Sequence, residues 1–177
     1  MDLREIKTAS ELIYDGVILH VYKDAVTLPN GEPGVREAIR HIGAVGIVAL
    51  TDDGQVLLEH QFRYPVDRVI TEIPAGKLDS KEEDRLAAAK RELAEETGYS
   101  ARKWTPLGDY MPAAAYSDEV ITLYLAEGLE RGAQRFDDDE FLEVFTMPLS
   151  EAARACLDGA ITDGKTVAGI LRAYDRI

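Results

Sequence analysis

The amino-acid sequence predicts an α/β fold, an α/β/α sandwich around a mixed sheet, preceded by a small antiparallel β unit. Three observations support this class. A continuous apolar run over residues 43–50 indicates a strand that is buried on both faces. Residues 80–98 are the strongest helical segment, and a second helical region runs from about Ser150 to the C-terminus, broken near Asp158-Gly159. Short strand-like segments lie between these helices, an order typical of layered α/β domains.

The N-terminal segment predicts the antiparallel unit. Residues 16–28 are rich in β-branched and aromatic side chains and end at Pro29-Asn30-Gly31, which is a turn signal. Residues 37–40 predict a returning strand. We therefore expect residues 1–42 to form an N-terminal extension that takes part in dimer contacts, and residues 43–177 to form the main domain.

The main domain begins with a predicted hairpin. Its first strand is the apolar run, its turn is Asp52-Asp53-Gly54, and its second strand starts at residues 56–58. Regular structure is expected to break at residues 63–65 and 73–76. Further strands are expected near residues 69–72, 105–110, 120–126 and 142–147.

The helix of residues 80–98 is amphipathic. Ser80 is expected to cap its start, and acidic side chains fill the first turn, where the helix dipole favours negative charge. Gly98 suits its end. Apolar residues at i, i+3 and i+7 form one stripe that faces the core. The acidic residues are Glu82, Glu83 and Asp84, and the stripe consists of Leu86, Ala89 and Leu93.

The chain is strongly acidic, with a net charge of −13 over 177 residues. Nucleic acids and anionic membranes select basic faces, so neither is an expected partner. An acidic protein that handles phosphates needs metal cations to offset the repulsion. No segment suits a signal peptide or a membrane span, which predicts a cytoplasmic protein. The single cysteine, Cys156, lies in an apolar-periodic stretch and is expected to be a buried structural thiol.

The expected chemistry is concentrated on the second half of the helix. Glu92 and Glu96 are four residues apart and share one face, and Glu95 lies three residues from Glu92. Arg91 can pair with Glu95, which leaves Glu92 and Glu96 without an obvious cationic partner on the helix. Carboxylates grouped in this way suit Mg²⁺. A solvated acidic face is the alternative interpretation, and the spacing alone favours it.

This segment resembles the Nudix box, which is a glycine, a glutamate and then R-E-U-x-E-E-x-G-U, where U is apolar. Gly76 provides the glycine, and residues 91–99 (RELAEETGY) match the second half position by position. One extra residue lies between Gly76 and the first glutamate, so Glu82 and Glu83 are both candidates. Glu83 is chosen because it keeps the usual seven-residue spacing to the arginine.

The resemblance implies a helix that holds divalent cations against a diphosphate, with Mg²⁺ first and Mn²⁺ as an alternative. Glu92 and Glu96 would be the principal ligands, and Arg91 would orient the glutamates. The ligands implied by the box are Ala75 (through its carbonyl oxygen), Glu83, Glu92, Glu95 and Glu96.

Two upstream motifs are similar to the ADP-ribose pyrophosphatase branch of that family, residues 61–65 (QFRYP) and residues 72–76 (EIPAG). By this resemblance Glu72 would be an added metal ligand. Arg63 would clamp a phosphate, since a guanidinium matches phosphate oxygens bidentately. The alternative for Arg63 is a surface position on an edge strand.

Two acidic loops extend the resemblance. Residues 113–119 (AAAYSDE) keep the second half of the branch's S-P-G-[FY]-[ST]-[DN]-E motif, with alanines in place of its proline and glycine. Ser117 and Glu119 would contact the substrate. In the run from Asp137 onward, Glu140 would be the general base or an additional ligand, with Glu143 as the second choice. A solvated loop is the alternative for that run.

The implied function is metal-dependent hydrolysis of a nucleoside diphosphate sugar, ADP-ribose to AMP and ribose 5-phosphate, with Glu140, Glu96 and Arg91 as catalytic residues. One alternative is a pyrophosphohydrolase of GDP-mannose, another nucleotide sugar or a nucleoside triphosphate. The other is a regulator that binds a nucleotide sugar without cutting it. The resemblance also implies a homodimer in which Tyr14 and Tyr22 stack on a base, with packing as the alternative for both.

Overall fold

A computed structural model describes residues 1–132 and 141–177. The chain divides into two compact units, one formed by Met1–Ile42 with Met111–Val120 and the other by Gly43–Tyr110 with Ile121–Ile177. The second unit contains the whole segment 76–99, on which the predicted chemistry depends.

The first unit contains a three-stranded antiparallel sheet, which confirms the predicted antiparallel unit. Its strands, in spatial order, are β1 (Ile6–Asp15), β2 (His20–Thr27) and β3 (Pro33–Arg40). β1 has no counterpart among the predicted elements, because all its residues are exposed and no buried face creates an alternating pattern. The strand predicted over 16–28 starts later, since residues 16–19 connect β1 to β2.

The second segment of this unit, residues 111–120, is tied to the end of β3. The Asp118 N–H donates to the carbonyl oxygen of Ile39 (3.2 Å). The His41 N–H donates to Oδ1 of Asp118 (2.7 Å). Ser117 and Glu119 therefore lie on a segment whose backbone is held by its own unit's sheet.

Over residues 43–110, 121–132 and 141–177, the second unit contains a mixed sheet and three α-helices. The strands are β4 (Ala44–Leu50), β5 (Gln55–Arg63), β6 (Arg68–Glu72), β7 (Ala75–Lys77), β8 (Tyr99–Tyr110), β9 (Ile121–Arg131) and β10 (Leu142–Pro148). The helices are α1 (Arg85–Thr97), α2 (Leu149–Leu157) and α3 (Gly164–Tyr174). The main strand order is β10-β5-β4-β9-β8, with β6 beside β5 and β7 beside β4. β4 and β9 are parallel, and the remaining pairs are antiparallel.

β4 is buried along its whole length and divides the core between the two faces of the sheet. Val45 and Ile47 pack in the cluster that contains α1 side chains, whereas Val48 and Leu50 pack with side chains of α2 and α3. Successive side chains of a strand point to opposite faces, so α1 covers one face while α2 and α3 cover the other. The predicted α/β/α sandwich is confirmed.

The hairpin predicted for β4 and β5 forms only at its turn. The two strands pair at Leu50 and Val56 alone, and the rest of β4 pairs with β7 and β9. The predicted hairpin is therefore present but short, because the remainder of β4 pairs with other strands. Residues 75 and 76, which belong to the interruption expected at 73–76, lie in β7.

α1 begins later than predicted. Its cap is Asp84 rather than Ser80, and the Asp84 carboxylate accepts a hydrogen bond from a first-turn N–H (2.8 Å). Glu82 and Glu83 therefore precede the helix, and the expectation that they lie in its first turn is wrong. The end is as predicted, with Gly98 in the left-handed region at φ 72°.

α2 and α3 confirm the helical C-terminal region and its break after residue 157. Cys156 on α2 is buried, as predicted. Burial raises the pKa of its thiol to about 11, so it stays protonated and unreactive near neutral pH. Among the residues described, no helix combines the length and the apolar character needed to cross a membrane.

Candidate metal and diphosphate site

The candidate site is built where β7 passes close to α1. A Cβ added to Gly76 would lie 2.0 Å from the carboxyl carbon of Glu92. Only a glycine lets this carboxylate lie against the strand. Glu92 and Glu96 are both buried, with 8% and 3% of their surface exposed. Gly76 thus lies close to the glutamates of α1, although a long stretch of sequence separates them in the motif.

Glu96 is held on the strand side of the helix. Its Oε2 accepts a hydrogen bond from the Ala75 N–H (3.0 Å). The preceding residue is fixed on β4, because the Ile47 N–H donates to the Pro74 carbonyl oxygen (2.8 Å). The backbone at Ala75, one of the predicted ligand positions, is therefore held between β4 and α1.

Arg91 gathers the surrounding carboxylates. Its Nη1 donates to Glu92 (2.8 Å) and to Glu95 (3.1 Å). Its Nη2 lies 3.4 Å from Glu83 and 3.7 Å from Asp79. The predicted pairing of Arg91 with Glu95 is confirmed, but the expectation that Glu92 has no cationic partner on the helix is wrong. Adjacent helical residues diverge, yet the long guanidinium side chain bends back to its neighbour.

The charge on Arg91 is stabilised by this arrangement. Burial opposes the cation, but the carboxylates of Glu92 and Glu95 outweigh it and raise the pKa of Arg91 above its ordinary value. Arg91 therefore stays charged and holds the glutamates in fixed positions.

The geometry favours Glu83 over Glu82 as the counterpart of the first glutamate of the box. Glu83 accepts a hydrogen bond from the Asp79 N–H (2.6 Å) and faces Arg91 with its other oxygen. Its side chain is 18% exposed, whereas Glu82 is exposed. The extra residue is accommodated in the loop ahead of the helix.

An ionic cluster around the buried carboxylate of Glu72, which we call the Glu72 cluster, consists of Glu72, Arg63, Lys165 and Asp163. Arg63 donates through Nε and Nη2 to the two oxygens of Glu72 (2.6 and 2.8 Å). Lys165 contacts the same carboxylate and donates to Asp163 (3.1 Å). Both oxygens of Glu72 thus face cationic side chains. This geometry favours a counter-ion role for Glu72 over the metal-ligand role that the resemblance implies.

Opposing effects act on the ionisation of Glu72. Burial disfavours the carboxylate, but the hydrogen bonds and charges of Arg63 and Lys165 outweigh it and hold the pKa of Glu72 below its ordinary value. The carboxylate is therefore charged at neutral pH although its side chain is only 1% exposed.

Lys165 and Thr166, at the start of α3, are absent from the predicted site. Thr166 accepts a hydrogen bond from the buried Ile73 N–H (2.9 Å), next to the Glu72 cluster. Asp163 caps α3 and accepts from the Thr166 N–H (3.0 Å). An aspartate ahead of Gly164 marks a helix start in the sequence, but no local pattern links α3 to residues 93 positions earlier.

The residues present fit a divalent metal by their chemistry. Glu92 and Glu96 supply hard carboxylate oxygens, and Gly76 gives Glu92 the space to lie beside the strand. As placed, no three acidic, histidine or cysteine side chains among residues 1–132 and 141–177 converge to hold an ion. Arg91 and the Ala75 N–H engage these carboxylates instead.

The remaining predicted residues are Ser117, Glu119, Glu143 and Glu140. In the first unit, the Glu119 N–H donates to Ser117 Oγ (3.2 Å), and the Glu119 carboxylate lies 3.9 Å from His41. Glu143 on β10 is exposed and lies 3.8 Å from His60. Glu140, the expected general base, falls outside the described residues.

The two tyrosines considered for base stacking both belong to the first unit. Tyr14 is exposed on β1. The guanidinium of Arg40 lies over the ring of Tyr22, 5.9 Å from its centroid. Tyr22 therefore already contacts a cationic group of its own sheet.

The NUDIX domain family matches residues 40–169. The matched region includes the contact between Gly76 and Glu92 and all of α1. This chain therefore belongs to the NUDIX domain family.

Curated relatives align with nearly the whole chain. It is 39% identical to the ADP-ribose pyrophosphatase of Bacillus subtilis (strain 168), over 95% of this chain and 91% of that protein. It is 38% identical to the methanol dehydrogenase activator of Bacillus methanolicus, over 94% and 90%. It is also 38% identical to the ADP-ribose pyrophosphatase of Mycobacterium tuberculosis (strain ATCC 25618 / H37Rv), over 94% and 81%.

A solved structure of an ADP compounds hydrolase has the same fold. The TM-score is 0.87, and the match covers 99% of this chain and 96% of the other at 22% sequence identity. The mixed sheet with helices on both faces is thus shared with that structure.

Proposed function

We propose that this chain hydrolyses the pyrophosphate bond of ADP-ribose, releasing AMP and ribose 5-phosphate in a metal-dependent reaction. The observation that carries the proposal is the pair of buried glutamates, Glu92 and Glu96, which lies against the glycine strand β7. Carboxylate oxygens grouped in this way are the ligands that a hard divalent cation prefers. A diphosphate substrate also needs cations, so one set of ions serves both.

The metal in this proposal is Mg²⁺, with Mn²⁺ as an alternative. Divalent cations are a general requirement of Nudix hydrolases. Glu92 and Glu96 would be the principal ligands, and the other ligand positions are Glu95, Glu83 and the Ala75 carbonyl oxygen. When bound, such an ion neutralises phosphate charge and makes water a better nucleophile.

The protein side chains position the reacting groups. Arg91 holds Glu92 and Glu95 in fixed orientations, as its hydrogen bonds indicate. Arg63, which is 41% exposed, would donate to phosphate oxygens. Glu140 would accept the proton of the attacking water. We include Glu140 by resemblance alone.

The substrate assignment draws on two relatives that carry the name ADP-ribose pyrophosphatase. Ser117 and Glu119 would contact the substrate, as the retained half of their motif suggests. The homodimer and the cytoplasmic location expected from the sequence remain part of this proposal.

The rival proposal is a regulator that binds a nucleotide sugar without cutting it. A relative named for activating methanol dehydrogenase gives this rival some support. Every box glutamate is retained in this chain, however, and Glu92 and Glu96 are buried beside β7. Hydrolysis is therefore the better-supported proposal.

The test is product formation by a variant that changes one glutamate oxygen. Glu96→Gln keeps an oxygen that can accept the Ala75 N–H, so the fold should persist while a metal ligand loses its charge. We expect turnover of ADP-ribose in Mg²⁺ to fall by a factor of about 10³, a loss of roughly 4 kcal/mol in transition-state stabilisation.

The matched control is Glu82→Gln, an exposed glutamate just ahead of α1, which should keep wild-type turnover. Chromatography of the products distinguishes the alternatives, because a nucleotide sugar yields two monophosphates and a triphosphate yields inorganic pyrophosphate. Tight binding of ADP-ribose with no products in Mg²⁺ would favour the regulator, and full activity of Glu96→Gln would contradict the metal assignment.

A further inference from the structure

Glu72 has two cationic partners that differ sharply in exposure. The Arg63 side chain is 41% exposed, whereas the Lys165 side chain is 10% exposed and the Glu72 side chain is 1% exposed. Arg63 comes from the end of β5, and Lys165 comes from the first turn of α3. One buried carboxylate is therefore compensated from the solvent side by an arginine and from the protein side by a lysine.

The lysine is fixed in place by its own helix. Lys165 also donates to the carboxylate of Asp163 (3.1 Å). That carboxylate is held in turn by the backbone N–H (3.0 Å) and hydroxyl (2.6 Å) of Thr166. Thr166 is itself bound to the Ile73 N–H. Lys165 is thus anchored at a capped helix start and next to the segment that carries Glu72.

Arg63 is more exposed than Lys165, but whether its guanidinium can leave Glu72 depends on Lys165. Removing one partner from a buried ion pair leaves an uncompensated charge, which costs far more than an exposed pair does. If Arg63 were the sole partner of Glu72, it would be retained there and withheld from any other anion. With Lys165 in place, Glu72 stays compensated when the guanidinium leaves.

We propose that Lys165 is a positioning residue that keeps Glu72 compensated, so that Arg63 can exchange from Glu72 to a phosphate oxygen of the substrate. This inference rests on the proposed function, because it takes a nucleoside diphosphate as the ligand of Arg63. Lys165 acts through Arg63 and does not itself touch the ligand, in keeping with its burial between two carboxylates.

The test is a double-mutant cycle between Lys165→Met and Glu72→Gln, read as the affinity for the uncleavable α,β-methylene analogue of ADP-ribose in Mg²⁺ by calorimetry. Lys165→Met alone should weaken binding by at least about tenfold, since Arg63 alone remains of the two counter-ions that the described residues provide to Glu72. The Glu72→Gln background lacks the carboxylate that accepts both hydrogen bonds from Arg63. The same lysine change should then alter affinity by less than about threefold.

Two controls separate this role from general effects. Arg68→Gln removes one positive charge from the neighbouring strand without touching Glu72, because Arg68 contacts Thr162, and it should leave the affinity within about twofold of wild type. Lys165→Arg restores a cation and should recover most of the affinity. If Lys165→Met does not fold, Lys165→Gln, which can still donate a hydrogen bond to Glu72 and Asp163 but carries no charge, replaces it in both backgrounds with the same expected pattern.

The outcomes that overturn the inference are distinct. Equal weakening by Lys165→Met in both backgrounds would mean that the lysine contacts the ligand directly. A lower melting temperature with unchanged affinity would mean a structural role only. Loss of all binding in Glu72→Gln would mean that Glu72 serves the ligand or its metal. A wild-type chain that neither binds the analogue nor cuts ADP-ribose would refute the proposed function, and this inference with it.

Discussion

Glu72 illustrates at the scale of one residue how a buried charge is tolerated. It lies opposite Glu59 in the register of β5 and β6, and like charges that face each other across two strands repel. Burial also opposes its charge, and the hydrogen bonds and charges of Arg63 and Lys165 outweigh that cost and keep Glu72 ionised. The ion pairs of Glu72 therefore stabilise the fold only at pH values at which its carboxylate is ionised.

The first prediction concerns the pH dependence of that contribution. An unfolded glutamate has a pKa near 4.5, and the pKa of Glu72 in the folded chain is lower. The stabilisation that the charge of Glu72 provides is therefore fully present above pH 4.5 and is lost as the pH falls through the folded pKa. Glu72→Gln should lower the free energy of unfolding by about 3 kcal/mol at neutral pH. The difference from wild type should shrink as the pH falls from about 5 to about 3.

Urea unfolding followed by circular dichroism at a series of pH values measures this difference. Other carboxylates titrate in the same range, but they cancel in the comparison of the two proteins. Glu82→Gln, at an exposed position, should show no pH-dependent difference. A constant gap between wild type and Glu72→Gln would show that the ion pairs do not stabilise the fold.

At the scale of one element, α1 shows how the N-cap residue determines where a helix begins. Ser80 and Asp84 are both suitable cap types, and each precedes a helix-forming run. Only Asp84 has its side chain bonded to a first-turn N–H. The loop between Lys77 and Asp84 is instead held by the contact of Glu83 with the Asp79 N–H. The helix thus starts after the acidic loop.

A pair of alanine variants tests this boundary. Asp84→Ala should lower the free energy of unfolding by about 1 kcal/mol, because it removes the side-chain acceptor of the cap. Ser80→Ala should change it by less than about 0.5 kcal/mol, as expected for a surface substitution without such a role. Thermal and urea unfolding of the two variants measure the difference. A larger loss of unfolding free energy in Ser80→Ala than in Asp84→Ala would indicate that the helix begins at Ser80, the predicted cap.

At the scale of the whole molecule, the net charge of −13 and the buried carboxylates of α1 concern the same physical problem. An acidic chain repels an anionic substrate, and the carboxylates grouped at its candidate site repel one another. A divalent cation relieves both effects, and a ligand that binds only the folded state stabilises that state.

The corresponding prediction is a metal-dependent gain in stability. Mg²⁺ at about a hundred times its dissociation constant should raise the free energy of unfolding by roughly 2.7 kcal/mol. The variant Glu92→Gln/Glu96→Gln should lose this gain. Calorimetric unfolding with MgCl₂, compared with NaCl at equal ionic strength, separates site binding from general screening of the acidic surface. An equal shift in the variant would mean that the stabilisation comes from screening.

Local chemistry was sufficient to predict much of this protein. The buried β4, the apolar stripe that includes Ala89 and Leu93, and the end of α1 at Gly98 depend on periodicity and backbone conformation, which neighbouring residues determine. The pairing of Arg91 with Glu95 follows from helical spacing in the same way. The strands of the first unit were harder to predict, since the exposed β1 lacks a buried face.

Only the tertiary structure decided which distant groups meet. It placed β7 and β9, rather than the full length of β5, beside β4, and it joined Lys165 to Glu72 across 93 residues. Such contacts depend on where whole elements pack, and no spacing along the chain encodes them. The glutamates of α1 and their spacing can therefore be identified in the sequence, whereas the pairing of Glu72 with both Arg63 and Lys165 becomes visible only in the folded chain.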